Sequence, residues 1–201
     1  MAEIEIQRIG RKSFKCRVKG TAPLIVKRFS EKAKQQMLDA QQGRKSPKEN
    51  RDPEKEFQAS RYLMEDGSDG FPAVGFKAAA IAGARLFGKS VTMTSLKPAL
   101  LVVGEGPDQL VKLDVGEPVM REDYVRVGMG TDLRYRPAFW PWAAELTIVY
   151  QPTVLSIESV LSLLDAGGGG GIGEWRPSAK ALSGTFGTFQ VDDEYDVQEF
   201  A

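Results

Sequence analysis

The stretch of this sequence with the most chemical potential is Gly167–Gly171, five consecutive glycines followed by Ile172, Gly173, Glu174, Trp175, Arg176 and Pro177. Glycine runs that cradle phosphate lie between a strand and a helix N-terminus, where free amides and the helix dipole point at the anion. Here the polarity is reversed. Ile157, Val160, Leu161 and Leu164 have the spacing of one apolar stripe, which predicts a helix over Ser156–Leu164 that runs into the glycines, with a strand beyond them. No Lys-Ser or Lys-Thr pair follows the run, so a nucleoside triphosphate site is disfavoured. Residues without Cβ still let a polymer backbone or another subunit approach the main chain, which makes Gly169, Gly170 and Gly171 candidate contacts. Trp175 and Arg176 would add a stacking face and a phosphate partner, stacking being worth about 1–3 kcal/mol per base. The competing reading places Trp175 in the core and pairs Arg176 with Glu174 or with an acidic tail.

Cationic groups fall into three further sets. Lys15, Arg17 and Lys19 alternate with Phe14, Cys16 and Val18, so a half-buried strand over Ser13–Gly20 would present charges about 7 Å apart, near the spacing of successive phosphates. Lys27–Arg61 holds ten basic against six acidic residues and loses periodicity at Gly43, Pro47 and Pro53, which predicts a protruding basic insertion. Lys27, Arg28, Arg44 and Lys45 are its candidate contacts; a solvated insertion with no partner is the bland alternative. Arg134, Arg136, Trp140 and Trp142 mix cations with indoles, but beside Pro137 and Pro141 they read as core or subunit-interface anchors.

Histidine is absent, which removes imidazole acid–base catalysis, Ser-His and Cys-His nucleophiles and the usual zinc sites. Carboxylate and magnesium chemistry remains open, so an enzyme is not excluded, but binding is the better reading and no cofactor is called for. The 27 basic and 27 acidic residues balance, so any polyanion partner must be met by local segregation of charge. The single cysteine, Cys16, sits in the apolar phase of the first strand and reads as a packed hydrophobe. Met1–Arg11 alternates polar residues with Ile where a signal peptide needs an apolar run, so a soluble cytoplasmic protein with no membrane partner is expected.

The elements that must position these groups are coarse but ordered. After the first strand, Pro23 ends the ladder, and a short helix over Glu31–Gln41 follows Ser30. Phe57–Met64 is a strand candidate, Ala78–Phe87 a helix, and Ala99–Val103, Leu110–Val115, Val119–Val127 and Ala143–Tyr150 alternate as strands. Gly184–Val191 closes the order as a strand, ahead of an acidic tail over 192–201. With 42% hydrophobic residues the chain reads as a single domain over 1–201. Its fold class is α+β, a ferredoxin-like β-α-β-β-α-β (RRM-like) core with a basic insertion over 27–61 and a β-hairpin insertion.

Three segments in this order resemble the RAMP superfamily of CRISPR-associated proteins. They are a first strand ending in Thr21-Ala22-Pro23-Leu24, a helix lead-in at Phe71-Pro-Ala-Val-Gly-Phe-Lys77-Ala78, and a glycine-rich helix-to-strand loop continued by Gly184-Thr-Phe-Gly-Thr-Phe189. The lead-in lacks the family's Gly-Ser-Ser, and Glu174-Trp-Arg-Pro is an unusual continuation, as expected of a distant, phage-encoded member. The resemblance implies binding of RNA or single-stranded DNA by the sheet face and glycine loop, with Lys77 matching the family lysine and 27–61 as a thumb. It also implies a homo-oligomer or a subunit of a ribonucleoprotein. Some members cut RNA with a thumb aspartate, for which Asp39 or Asp52 would stand. The alternative is a non-enzymatic phage-type oligomer or host-complex-blocking factor without nucleic acid. On the leading reading, the basic row of the first strand and the glycine run share one surface.

Overall fold

The computed structural model describes residues 8–44, 50–88, 91–127, 130–180 and 183–200. In chain order its elements are β1 (Lys12–Gly20), β2 (Leu24–Ile25), α1 (Glu31–Gln41), α2 (Pro53–Ala59), β3 (Gly70–Pro72), α3 (Ala73–Gly83), a 3-10 turn (Ala84–Phe87), α4 (Met93–Ala99), β4 (Leu100–Val103), β5 (Leu110–Val115), β6 (Val119–Val127), β7 (Gly130–Phe139), β8 (Trp142–Tyr150), α5 (Ile157–Gly168), β9 (Phe189–Val191) and β10 (Gln198–Phe200). The class is α+β, with two antiparallel sheets.

Strand β1 is central to the larger sheet because its alternation gives it two unlike faces. Phe14, Cys16 and Val18 are buried inward, and Lys15, Arg17 and Lys19 project outward. β1 pairs with β8 from Lys12 opposite Tyr150 to Lys19 opposite Ala143. The far edge of β8 is shared by β4 and β5, with β3 beyond β5. The other edge of β1 takes β9 beside Val18–Gly20 and β10 beside Ser13–Lys15.

Helices α3 and α5 cover the inner face. Phe76 and Ala80 of α3 and Val160, Leu163 and Leu164 of α5 join Phe14, Cys16, Val18, Leu146 and Ile148 in one core. Ser156 caps α5 by accepting from the Ser159 amide, which fixes where the apolar stripe begins. The two helices meet at glycines: a Cβ at Gly167 would collide with the Ala79 carbonyl, and one at Gly83 would lie 2.7 Å from the Gly167 nitrogen.

The smaller sheet has the order β2-β7-β6. β6 and β7 form a hairpin in register from Val119 opposite Ala138 to Val127 opposite Gly130. β2 covers only the Ala138–Phe139 end of β7, so α2 seals the rest of that edge. Ser60, the C-cap of α2, donates to the Tyr135 carbonyl at 3.3 Å, and Arg51 donates to that of Leu133 at 2.6 Å.

Several expectations are corrected. Phe57–Met64 is not a strand: Asp52 accepts from the Lys55 amide and Pro53, read as a breaker, occupies the first turn of a helix, while Pro47 lies outside the described residues. The helix expected at Ala78 begins at Ala73, and the strand expected over Gly184–Val191 is confined to Phe189–Val191. Over 27–61 the helix expected at Glu31–Gln41 is present as α1 and α2 is added after it; α2 is docked while α1 is exposed along most of its length. β7 and α4 were not foreseen. No helix among the described residues is long and apolar enough to cross a membrane.

Candidate nucleic-acid interface

Cross-strand register builds the site. Arg121 lies opposite Arg136 and Asp123 opposite Arg134, so these four side chains emerge on one face of the hairpin. Asp123, 4% exposed, accepts from Arg136 at 2.8 and 3.2 Å and from Arg121 at 2.9 Å. Arg136, 1% exposed, donates its remaining nitrogen to Glu174 at 3.0 Å. A buried guanidinium so bonded has a fixed plane, and it lies over the Trp175 ring with its central carbon 4.5 Å from the centroid. Arg121 stands over Phe186 at 5.0 Å and near Trp175 at 5.9 Å.

The turn that presents Trp175 is built by the end of the glycine run. Trp175 has φ +51°, a left-handed conformation that bulky residues rarely adopt. It is held there from both sides: the Glu174 amide donates to the Ile25 carbonyl at 2.8 Å, and the Phe186 amide to the Trp175 carbonyl at 3.2 Å. Arg176 closes the turn by donating to the Gly173 carbonyl at 2.8 Å, so it staples this loop. Lys27, which follows β2, completes the patch. Burial, followed by the nearby charges of Arg134 and Arg136, holds its ammonium below the usual lysine range. Arg28 is more exposed and lies 3.6 Å from Asp108.

The remaining candidates fall elsewhere. Gly167 and Gly168 are the buried last turn of α5 rather than open main chain. Gly169 is exposed, Gly170 partly so, and Gly171 buried with φ +70°. Lys77 is half-buried on α3, Arg44 is exposed just past α1, and Lys45 lies outside the described residues.

Lys15, Arg17 and Lys19 project from the outer face of the large sheet, whereas α5 and its glycine end pack on the inner face. The single surface expected for basic row and glycine run is therefore not formed. Nor is the row a bare line of charge: Lys15 pairs with Glu145 at 2.6 Å, Arg17 with Asp114, and Lys19 with Asp192 at 2.8 Å and Glu194 at 3.2 Å. The acidic segment thus docks on β1. Trp142 is core and donates to the Ala22 carbonyl at 2.8 Å, while Trp140 is exposed.

Arg121, Asp123 and Phe186 were missed in the sequence because only the hairpin register and the turn bring them together. The available signal was Gly130, set between two charge-rich runs. Among the described residues no group of three or more Cys, Asp or Glu stands in position to hold a metal ion.

No protein-family model and no curated protein matches the sequence. Among solved structures, the fold is similar to a chain in the cryo-EM structure of the type III-B Cmr-beta bound to cognate target RNA. The TM-score is 0.51 at 7% identity, over 94% of this chain and 61% of that one. Cmr6 from Pyrococcus furiosus gives a TM-score of 0.46 at 9% identity, over 92% of this chain and 100% of that one. The chain spans about three-fifths of the length of the Cmr-beta chain. At 7% identity the likeness to the Cmr-beta chain is one of fold alone.

Proposed function

We propose that the protein binds RNA, chiefly through the backbone, on the β6–β7 face and the turn at Trp175, as a subunit of a ribonucleoprotein assembly. In this reading the large sheet is the split ferredoxin-like unit, with β1, α3, β4–β5, β8, α5 and β9 as its six parts and α1 as a thumb-like projection. The observation that carries it is the pair Arg121 and Arg136 held against Trp175 and Phe186, with the half-buried Lys27 alongside. Arg136, buried and bonded to Asp123 and Glu174, fixes the ring, while the partly exposed Arg121 offers the phosphate contact, an arrangement that suits a stacked base beside a phosphate. The fold shared with a chain from an RNA-bound complex adds support.

Fluorescence anisotropy with a labelled oligouridylate tests this directly. Trp175→Ala combined with Arg121→Ala lowers affinity by roughly 5- to 150-fold, the equivalent of about 1–3 kcal/mol for one lost stacking contact. Equal affinity in the variant would move the contact elsewhere, and competition with oligothymidylate separates RNA from single-stranded DNA. A second reading, a nucleic-acid-free interaction protein, is favoured by Tyr124 and Trp140, 72% and 58% exposed. A discrete oligomer that binds neither polymer at low salt would select it.

A further inference from the structure

The chain supplies its own polyanion. After β9, residues 192–197 fold across the outer face of β1 before β10 rejoins its edge at Ser13–Lys15. Asp192 is buried; its amide donates to the Arg17 carbonyl at 2.8 Å and its carboxylate meets Lys19 at 2.8 Å. Glu194 lies 3.2 Å from the same ammonium, and the Tyr195 hydroxyl donates at 2.6 Å to Glu145, the partner of Lys15.

Two features mark this cover as separable. Its anchorage is uneven: Phe189 and Val191 of β9 are buried, whereas all three residues of β10 are exposed. Its fit is incomplete, because Arg17 Nε is buried without a hydrogen-bond partner, with the nearest carboxylate oxygen of Asp192 at 3.7 Å. A buried donor left unpaired is destabilising, and a better-placed anion would relieve it.

We propose that Asp192–Phe200 is an intramolecular counter-anion that keeps the outer sheet face closed to nucleic acid, and that its departure exposes Arg17 and Lys19 as a second phosphate contact. This rests on the nucleic-acid-binding reading above. Lys19 gains most, since Asp192 and Glu194, with which it pairs, both belong to the segment; Arg17 keeps Asp114 and Lys15 keeps Glu145.

The test is Asp192→Asn with Glu194→Gln, which removes charge and keeps side-chain shape. Anisotropy with labelled oligouridylate, read across salt concentrations, should give several-fold tighter binding at low salt. The slope of log affinity against log salt should steepen by about 1.4, for two further phosphates neutralised. The gain should vanish when Arg17→Ala and Lys19→Ala are added. Affinity and slope equal to those of a parent that does bind would overturn the mask alone, as would a gain surviving the added alanines. Absence of binding in parent and variant would overturn the mask together with the reading beneath it. Should the variant fail to fold, hydrogen exchange in the parent decides: the amides of Ser13 and Lys15, which face β10, exchange faster on adding oligonucleotide if the segment leaves, and unchanged rates refute the mask.

Discussion

Arg136 shows how one residue can join stability to a binding surface. It is almost fully buried, bonded to Asp123 and Glu174, and it supports the Trp175 ring. Taking away one partner of a buried ion pair leaves the other charge uncompensated, at a cost of about 3–5 kcal/mol. Asp123→Ala is therefore expected to lower unfolding free energy by that order, measured by urea denaturation, and a loss below about 1 kcal/mol would show that water reaches the site. Trp175 and Arg176 were legible as neighbours in sequence. The rest of the cluster was not, because Arg121, Arg136 and Phe186 reach Trp175 only after the hairpin has chosen its register.

At the scale of elements, alternation was the reliable guide. β5 and β6 have the expected bounds and β1 starts one residue early; β1 and β5 each bury one face that a shift of register would expose, whereas β6 is held by its pairing along β7. β7 escaped notice because Pro137 lies within it and because Asp132, Arg134 and Arg136 line one of its faces with charge. The glycine run misled differently: its composition invites a loop, yet Gly167 is there to let α5 approach the backbone of α3. Gly167→Ala should accordingly destabilise the fold by about 1–3 kcal/mol, although alanine favours a helix. A variant as stable as the parent in thermal denaturation would mean that the two helices separate without penalty.

For the whole molecule, zero formal charge conceals an uneven distribution and also fixes the response to acid. The Lys19 ammonium holds Asp192 below the usual carboxylate range, and Lys15 followed by Tyr195 does the same for Glu145. A lowered folded-state value means that the stabilisation is present above the unfolded pKa of about 4 and is lost as pH falls through the folded value. With no histidine to titrate, the thermal midpoint should stay flat between about pH 5 and 8 and fall below about pH 4. A drop beginning near neutrality, in scans at constant ionic strength, would contradict this assignment.

The one thiol offers a practical opening. Cys16 is 1% exposed, and burial, followed by the nearby Asp165 and Glu145 charges, pushes its pKa up to about 12. Thiolate is scarce there, and maleimide reagents have little route to it. A cysteine introduced on the surface, for instance at Tyr124 on the hairpin, could then carry a fluorophore with the natural one left in place, so that movements of β6 and β10 can be followed in an otherwise unaltered molecule.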